Sequence, residues 1–355
     1  MHARISRRCG AFLLALTLVF GTPAMAPVLA QTPDAASPAA STGAPTPQLP
    51  VTITDATGAE ITITDISRIV SVNGDITETL FALGLGQYVV ADDISALYPP
   101  EAAALPKVGY ARDLNAEGIL SFNPTVVIGD DGAGPAEVLD QVRAAGVPVV
   151  IVSSDPNSIY GPVDEIRQIG EALGVPEAAE TLATSIEAQL QEVETLAASA
   201  ESQPRVAFLY IRGAGTQLLA GTNTSADLVI TAAGAINAGA DIGLDGYAPI
   251  TPEALVTAAP DIILVMQDGL ASVGGVDGLL QIPGIAQTPA GESGTVVAFE
   301  DLYLLGFGPR IGESVHDLTL ALHPELEGEP INPQWQGTDV EIATPEASPA
   351  ASPAA

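Results

Sequence analysis

The sequence predicts an α/β protein built as two lobes joined by one long helix. Three observations carry this. Short apolar runs alternate with helix-patterned segments before residue 155 and again after residue 204, the rhythm of parallel βαβ units. Between them, residues 159–202 form a nearly turn-free helical stretch interrupted only at Gly174-Val175-Pro176. The two flanking halves also repeat each other's motifs.

VTITDATGAEITITD, residues 51–65, opens the folded part: two alternating β runs around Ala-Thr-Gly read as a hairpin. RIVSV follows as a strand, TETLFALGLG as a helix closed by glycine, and YVVADD and TVVIGD as strands. PAEVLDQVRAAG has helical periodicity, and VPVVIVSS is a buried strand. After the long helical region come RVAFLYIR and TQLLA as strands and TSADLVITAAG as a helix. PDIILVMQ and TVVAFE are strands, and GPRIGESVHDLTLALHP is the closing helix. The lobes are thus expected over 51–155 and 204–325, with 156–203 connecting them. A single helical connector limits hinge motion.

The first thirty residues read as an export signal. Arg4, Arg7 and Arg8 precede the ten-residue apolar run AFLLALTLVF, and small residues continue to Ala30. The run is too short to span a bilayer, so no membrane insertion of the mature chain is expected. Arg7-Arg8 leaves Sec and twin-arginine export both open, and the destination is a periplasm or an open cell surface. Cys9 lies before the apolar run, so the mature chain has no cysteine for disulfides or thiolate sites. Residues 31–50 and 326–355 are rich in Pro, Ala, Ser and Thr, and are expected to be a disordered linker and tail.

Removing residues 1–30 takes away three arginines and no acids, moving the formal charge from −32 to −35. Such a surface repels nucleic acid and anionic membranes. The eight remaining cations, Arg68, Lys107, Arg112, Arg143, Arg167, Arg205, Arg212 and Arg310, are therefore informative one by one.

KVGYARDLNAEGIL places Tyr110 two residues before Arg112, and FLYIRG places Tyr210 two before Arg212. Residues i and i+2 of an extended segment face the same side, so each lobe can present a phenol with a guanidinium. Both pairs fall at or just after a strand end, where open α/β sheets place ligands. A second echo joins LNAEGILSFNPTVVIGD to ITPEALVTAAPDIILVMQ: a polar cap (Asn115, Thr251), a first-turn glutamate (Glu117, Glu253), a short helix, a proline and a buried strand. Helix capping explains either glutamate alone; matched placement on two lobes points to a symmetric partner that reads both.

Phenolate oxygen is a hard donor suited to ferric iron and a known axial haem ligand. A free phenol titrates near ~10, and a neighbouring cation favours the phenolate. Arg112 and Arg212 are candidates for that role or for pairing with a ligand carboxylate, and Arg310 in LLGFGPR is a third. Haem, flat, iron-bearing and dicarboxylate, would use all of these. The mature histidines, His316 and His323, belong to the last helix and read as exposed surface residues, and Met266 reads as core. No GxSxG, P-loop, HExxH or cysteine nucleophile is present, which argues against an enzyme.

RIVSV…TETLFALGLG, YPPEAAALPKVGYARDLNAEGILSFNPTVVIGDDGAGP, FLYIRG and DLYLLGFGPR together resemble the haem-binding components of bacterial haem ABC importers, over about residues 51–324. The wider group includes vitamin B12 and ferric-siderophore binding proteins. The resemblance implies two Rossmann-like lobes bridged by a rigid helix, the class III periplasmic binding protein type. It implies Tyr110 as axial iron ligand, with Arg112 supporting it or a propionate, and Tyr210 with Arg212 as a pair used from the other lobe. It implies that Glu117 and Glu253 dock on a permease dimer served by ATPase subunits. Some relatives complete the iron with a histidine, and this chain has none outside its last helix. A one-tyrosine site, a two-tyrosine site and two stacked haems all remain open. The expected function is capture of haem for an ABC importer. A B12 or ferric-siderophore carrier is the alternative, and a chelatase-like enzyme the alternative of another class.

Overall fold

The computed structural model describes residues 45–335. The expected export segment and the outer parts of both Pro/Ala-rich tracts lie outside them. The chain opens with the expected hairpin, β1 (Val51–Thr54) and β2 (Glu60–Ile63), antiparallel with Val51 opposite Ile63. Asp55 closes its turn by accepting from the N–H groups of Thr57 and Ala59, and its second oxygen takes the N–H of Ile151, fastening the hairpin to the first lobe.

That lobe holds β3 (Ile69–Ser71), α1 (Gly74–Ala82), β4 (Val89–Ala91) and α2 (Pro100–Ala103). The short pair β5 (Gly109–Tyr110) and β6 (Asp113–Leu114) and the helix α3 (Ala116–Leu120) come next. β7 (Val126–Asp130), α4 (Ala136–Ala144) and β8 (Val149–Val152) complete it. Its main sheet is wholly parallel in the order β4-β3-β7-β8. Helices cover both faces of such a sheet, so its strands are apolar throughout rather than alternating; β3 and β8 are buried at every residue.

Two helices form the connector, α5 (Gly161–Ala172) and α6 (Pro176–Ala198). They break where expected: Gly174 adopts φ +72°, and Pro176 opens α6 at a position where its missing N–H costs nothing. Ala179, Ala183, Ile186, Leu190 and Val193 recur every three or four residues along α6 and form one buried face. This face belongs to a single apolar cluster that runs from Ile69 and Ile128 in the first lobe to Phe208 and Leu318 in the second. At Gly170 a Cβ would stand 2.1 Å from that of Ala179, so glycine permits the close approach of α5 and α6.

The second lobe contains β9 (Arg205–Arg212), β10 (Thr216–Ala220), α7 (Ser225–Ala232), β11 (Ile236–Asn237) and α8 (Ala238–Asp241). After β12 (Tyr247–Pro249) and α9 (Pro252–Ala258) come β13 (Ile262–Met266), α10 (Gln267–Ser272), α11 (Gly275–Leu279) and α12 (Pro289–Ser293). β14 (Val296–Phe299), α13 (Asp301–Leu305) and α14 (Ile311–Leu322) end it. The rhythm here is not purely parallel. β11, β13 and β14 make parallel pairings, whereas β10 folds back on β9 and β12 on β10, both antiparallel. A three-residue link between β9 and β10 is too short for a parallel crossover, so it makes a hairpin.

Parts of the expected linker and tail, residues 45–50 and 326–335, fall among the described residues. Gln48 donates its backbone N–H to Gly174 O, and Leu49 packs on the main cluster. At the other end, Ile331 and Asn332 donate their N–H groups to buried Asp317. One backbone hydrogen bond at Gln48 and the Asp317 carboxylate at Ile331 and Asn332, both invisible in composition, hold these residues.

Candidate functional site

The first lobe's Tyr-x-Arg lies on a small structure at the C-terminal edge of its sheet. Beyond β4 the chain runs beside residues 107–109: Val108 N–H donates to Asp92 O, and Ile94 N–H donates to Gly109 O. Lys107, the only lysine, donates to buried Asp92 at 2.8 Å and to the carbonyls of Ala96 and Ala102, anchoring the base of the hairpin. Burial pushes the Asp92 carboxyl up to about 6 against the pull of Lys107. Tyr110 pairs with Asp113, so Ala111 and Arg112 form the turn, and Gly134 N–H bonded to Ala111 O pins it to the loop after β7.

The outcome is two presented side chains. Tyr110 is 49% exposed. Arg112 is exposed and makes no hydrogen bond or ion pair among the described residues, although its charge reaches Asp130. The other seven mature cations are engaged. Arg68 donates to Phe122 and Asn123 carbonyls, and Arg143, Arg167, Arg205, Arg212, Arg310 and Lys107 each hold a carboxylate.

Beneath Arg112 lies strained backbone. Asn73, the residue between β3 and α1, adopts φ 99° and ψ 143°, a region that disfavours side chains. The carboxylates of Asp93 and Asp130 receive hydrogen bonds from Asn73 and hold it there. Burial, followed by the charge of Asp131, raises the Asp130 carboxyl.

The second lobe's pair is organised differently. Tyr210 and Arg212 share a face of β9, with buried Leu209 and Ile211 facing the core. The Arg212 guanidinium lies 5.0 Å from the centre of the Tyr210 ring. Its Nη2 donates to Asp301 Oδ2 at 2.7 Å, and its Nη1 to Ile211 O. Asp301 also accepts from Asp268 N–H, and burial raises its carboxyl against the opposing charge of Arg212. Tyr247, on β12, meets the edge of Tyr210 with ring centres 5.9 Å apart, and is itself 41% exposed. Sequence reading missed Tyr247 because antiparallel β10 and β12, which bring it there, carry no Tyr-x-Arg signal.

Arg310 is not brought to this surface. It is buried, and its Nε and Nη2 grip both oxygens of Glu78. The histidines differ from expectation too. His323 is fully buried, with Nε2 against Ala233 O, and His316 is half-buried beside Asp317. Both are held by the amphipathic burial of α14, whose inner face the last helical turn continues. Met266 is core. Among the described residues, no group of three or more His, Cys, Asp or Glu is arranged to hold a metal ion, and no helix is long and apolar enough to cross a membrane.

Glu117 and Glu253 are exposed in the first turns of α3 and α9. The Asn115 and Thr251 side chains cap these helices by accepting from the N–H groups of Gly118 and Ala254. Each cap supplies what the first turn lacks, leaving the glutamate carboxylates outward.

Residues 69–302 match the family described as periplasmic binding protein. Among solved structures, the periplasmic heme-binding protein RhuT from Roseiflexus sp. RS-1, in apo form, is 53% identical over 73% of this chain and 98% of that one, with a TM-score of 0.71. The periplasmic heme-binding protein BhuT in complex with two hemes is 38% identical over 72% of this chain and 97% of that one, with a TM-score of 0.67. An uncharacterized ABC transporter substrate-binding lipoprotein of Bacillus subtilis (strain 168), YvrC, is 28% identical over 280 residues, 78% of this chain and 86% of its own length. With two α/β lobes, a helical connector and most of its length matched, the chain belongs to the periplasmic binding protein family.

Proposed function

We propose that the chain is an extracytoplasmic haem-binding protein that captures haem between its lobes and hands it to an ABC importer without catalysis. The observation that carries this is the pair Tyr110 and Arg112. Among the described residues every other Lys or Arg is engaged, while this arginine makes no hydrogen bond or ion pair and stands beside an exposed phenol at the ligand edge of a sheet. An exposed tyrosine next to an unpaired arginine suits a ferric centre carrying carboxylates: the phenolate reaches the iron, and the guanidinium supports it or takes a propionate. The second lobe contributes Tyr210, already oriented by Arg212 and Tyr247. The identity to RhuT and BhuT supports the same reading.

Haem itself supplies the iron and the macrocycle. The chain's residues supply an oxygen donor, positive charge and apolar cover: Ile94 and Leu97 are exposed on the segment beside Tyr110. Titration with hemin, followed by absorbance, tests the proposal. A saturable ferric spectrum with phenolate charge-transfer features is expected, and its loss in Tyr110→Phe. A chain that leaves the hemin spectrum as in buffer would overturn it. Glu117 and Glu253, one exposed on each lobe, are the proposed contacts to a two-fold permease.

A further inference from the structure

The lobes are joined a second time, away from α6. Arg310, in the loop before α14, reaches across to Glu78 on α1, with Nε to Oε1 at 2.7 Å and Nη2 to Oε2 at 2.8 Å. The side chains are only 10% and 5% exposed. The guanidinium contacts two aromatic rings, 3.7 Å from the centre of Tyr98 of the first lobe and 5.1 Å from that of Tyr303 of the second. Tyr303 is anchored in turn by its hydroxyl, which donates to Asp317 at 2.9 Å. The seam is close at Gly74, where a Cβ would lie 3.2 Å from Leu302 of the second lobe and 2.5 Å from Ser95 O; at Gly308 a Cβ would make ordinary contact, 3.4 Å from Asp75 Cα.

A buried, two-point ion pair resists partial separation. Pulled slightly apart while still shielded from water, each charge loses its partner and gains no hydration. Contact with two rings restricts the guanidinium further. Sliding or opening of the lobes at the point where α1 leaves β3 must break this contact.

We propose that Arg310 is a positioning residue for ligand capture: by clasping Glu78 across the seam, it fixes the width of the cleft between the Tyr110 and Tyr210 surfaces before ligand arrives. This rests on the reading that haem is held between the two lobes. It assigns to the arginine of the LLGFGPR segment a role other than contact with a propionate. The clasp raises retention because no ordering of the lobes remains to be done on binding.

The test uses the full chain carrying Cys9→Ser, so that introduced cysteines are the only ones. Spin labels at Ala136→Cys on α4 and Glu292→Cys on α12, both exposed, report the interlobe distance. With the clasp intact, the ligand-free protein should give one narrow distance distribution that hemin leaves in place. In Arg310→Met with Glu78→Gln, which removes both charges together and avoids stranding one, the distribution should broaden and hemin should narrow it. Hemin should then dissociate about tenfold faster while its spectrum is kept, since a loosened site shows chiefly in the off-rate. Arg310→Lys keeps the charge but loses the two-point grip and should fall between; it carries the test should the double variant not fold. A narrow, unshifted distribution in the variants overturns the clasp. Failure of the unmodified chain to bind hemin would defeat the haem reading instead, and the ligand-free distances would still decide the clasp.

Discussion

Replacing Asp75 by asparagine should stabilise the protein at about pH 8 and flatten its dependence on pH. Asp75 occupies the first turn of α1, where burial, with the charges of Asp130 and Glu78, pushes its carboxyl from 3.8 up to about 7. Because the folded-state value is raised, the native chain binds more protons than the unfolded chain between these limits. Stability is therefore greatest below the lower limit and falls as pH rises through the upper. A rise of about three pH units, at ~1.4 kcal/mol each, sets a ceiling of ~4 kcal/mol on the loss. Asp75 is only half-buried, and Glu165, Glu78 and Asp130, also raised by burial, share the protons. We therefore expect about 2 kcal/mol, an order-of-magnitude figure. Asparagine preserves the size and the acceptor for the Ile76 N–H. Urea unfolding at several pH values between about 5 and 8 measures the effect. A variant whose unfolding free energy keeps the wild-type slope would show that Asp75 is ionised without penalty, and that burial beside α1 has been overvalued.

Tyr110→Phe should abolish the phenolate charge-transfer features of the hemin complex, and Tyr210→Phe should alter them only if both lobes supply a ligand; absorbance spectra of the two variants separate one-tyrosine from two-tyrosine binding. Truncating Arg112 or Arg212 should weaken hemin affinity by roughly 1.5–3 kcal/mol, whereas Arg143 and Arg167, on helices away from both Tyr-x-Arg pairs, should matter little; equal losses at all four would show that bulk charge governs binding. Ala at both Glu117 and Glu253 should leave the hemin spectrum intact and reduce hemin-stimulated ATP hydrolysis by the reconstituted importer, since exposed ion pairs worth ~0–1 kcal/mol each act noticeably only together. Gly170→Ala should destabilise the fold by about 1–3 kcal/mol through overpacking against Ala179, read from the thermal midpoint.

The strands RIVSV, TVVIGD, VPVVIVSS and PDIILVMQ were legible because a buried parallel strand is a short unbroken apolar run, and their length and β-branched content separate them from a buried helix segment. The α5–α6 break was legible because Gly174-Val175-Pro176 dictates its own backbone. What escaped were relations between distant segments. β10 and β12 turn antiparallel because of link length and register, which the apolar pattern of TQLLA does not encode. Tyr110 and Arg112 read as a strand end, and they sit on a short hairpin tied to neighbouring loops by Gly134 N–H to Ala111 O, Leu114 N–H to Gly134 O and Ile94 N–H to Gly109 O. Arg310 reads as a ligand arginine from its glycine-rich context, and the partner that buries it, Glu78, lies 232 positions away. His323 reads as polar and terminal, yet the last turn of α14 carries it inward.

The ligand edge and the proposed docking edge are joined by very little chain. In the first lobe, the Tyr110 hairpin passes through β6 directly into the Asn115 cap and the turn bearing Glu117. In the second, Tyr247 on β12 is followed by the Thr251 cap and the turn bearing Glu253. A short strand, a capped N-terminus and one helical turn leave little chain to absorb a displacement, and both caps are hydrogen-bonded. On the proposed reading, a permease that grips both glutamates and spreads them must move Tyr110 and Tyr247 with them. It must also strain the Arg310–Glu78 contact, since that contact spans the same two lobes. Retention in the free protein and release on the importer then follow from one arrangement. The clasp holds the cleft while nothing pulls, and the capped helices are where a partner pulls.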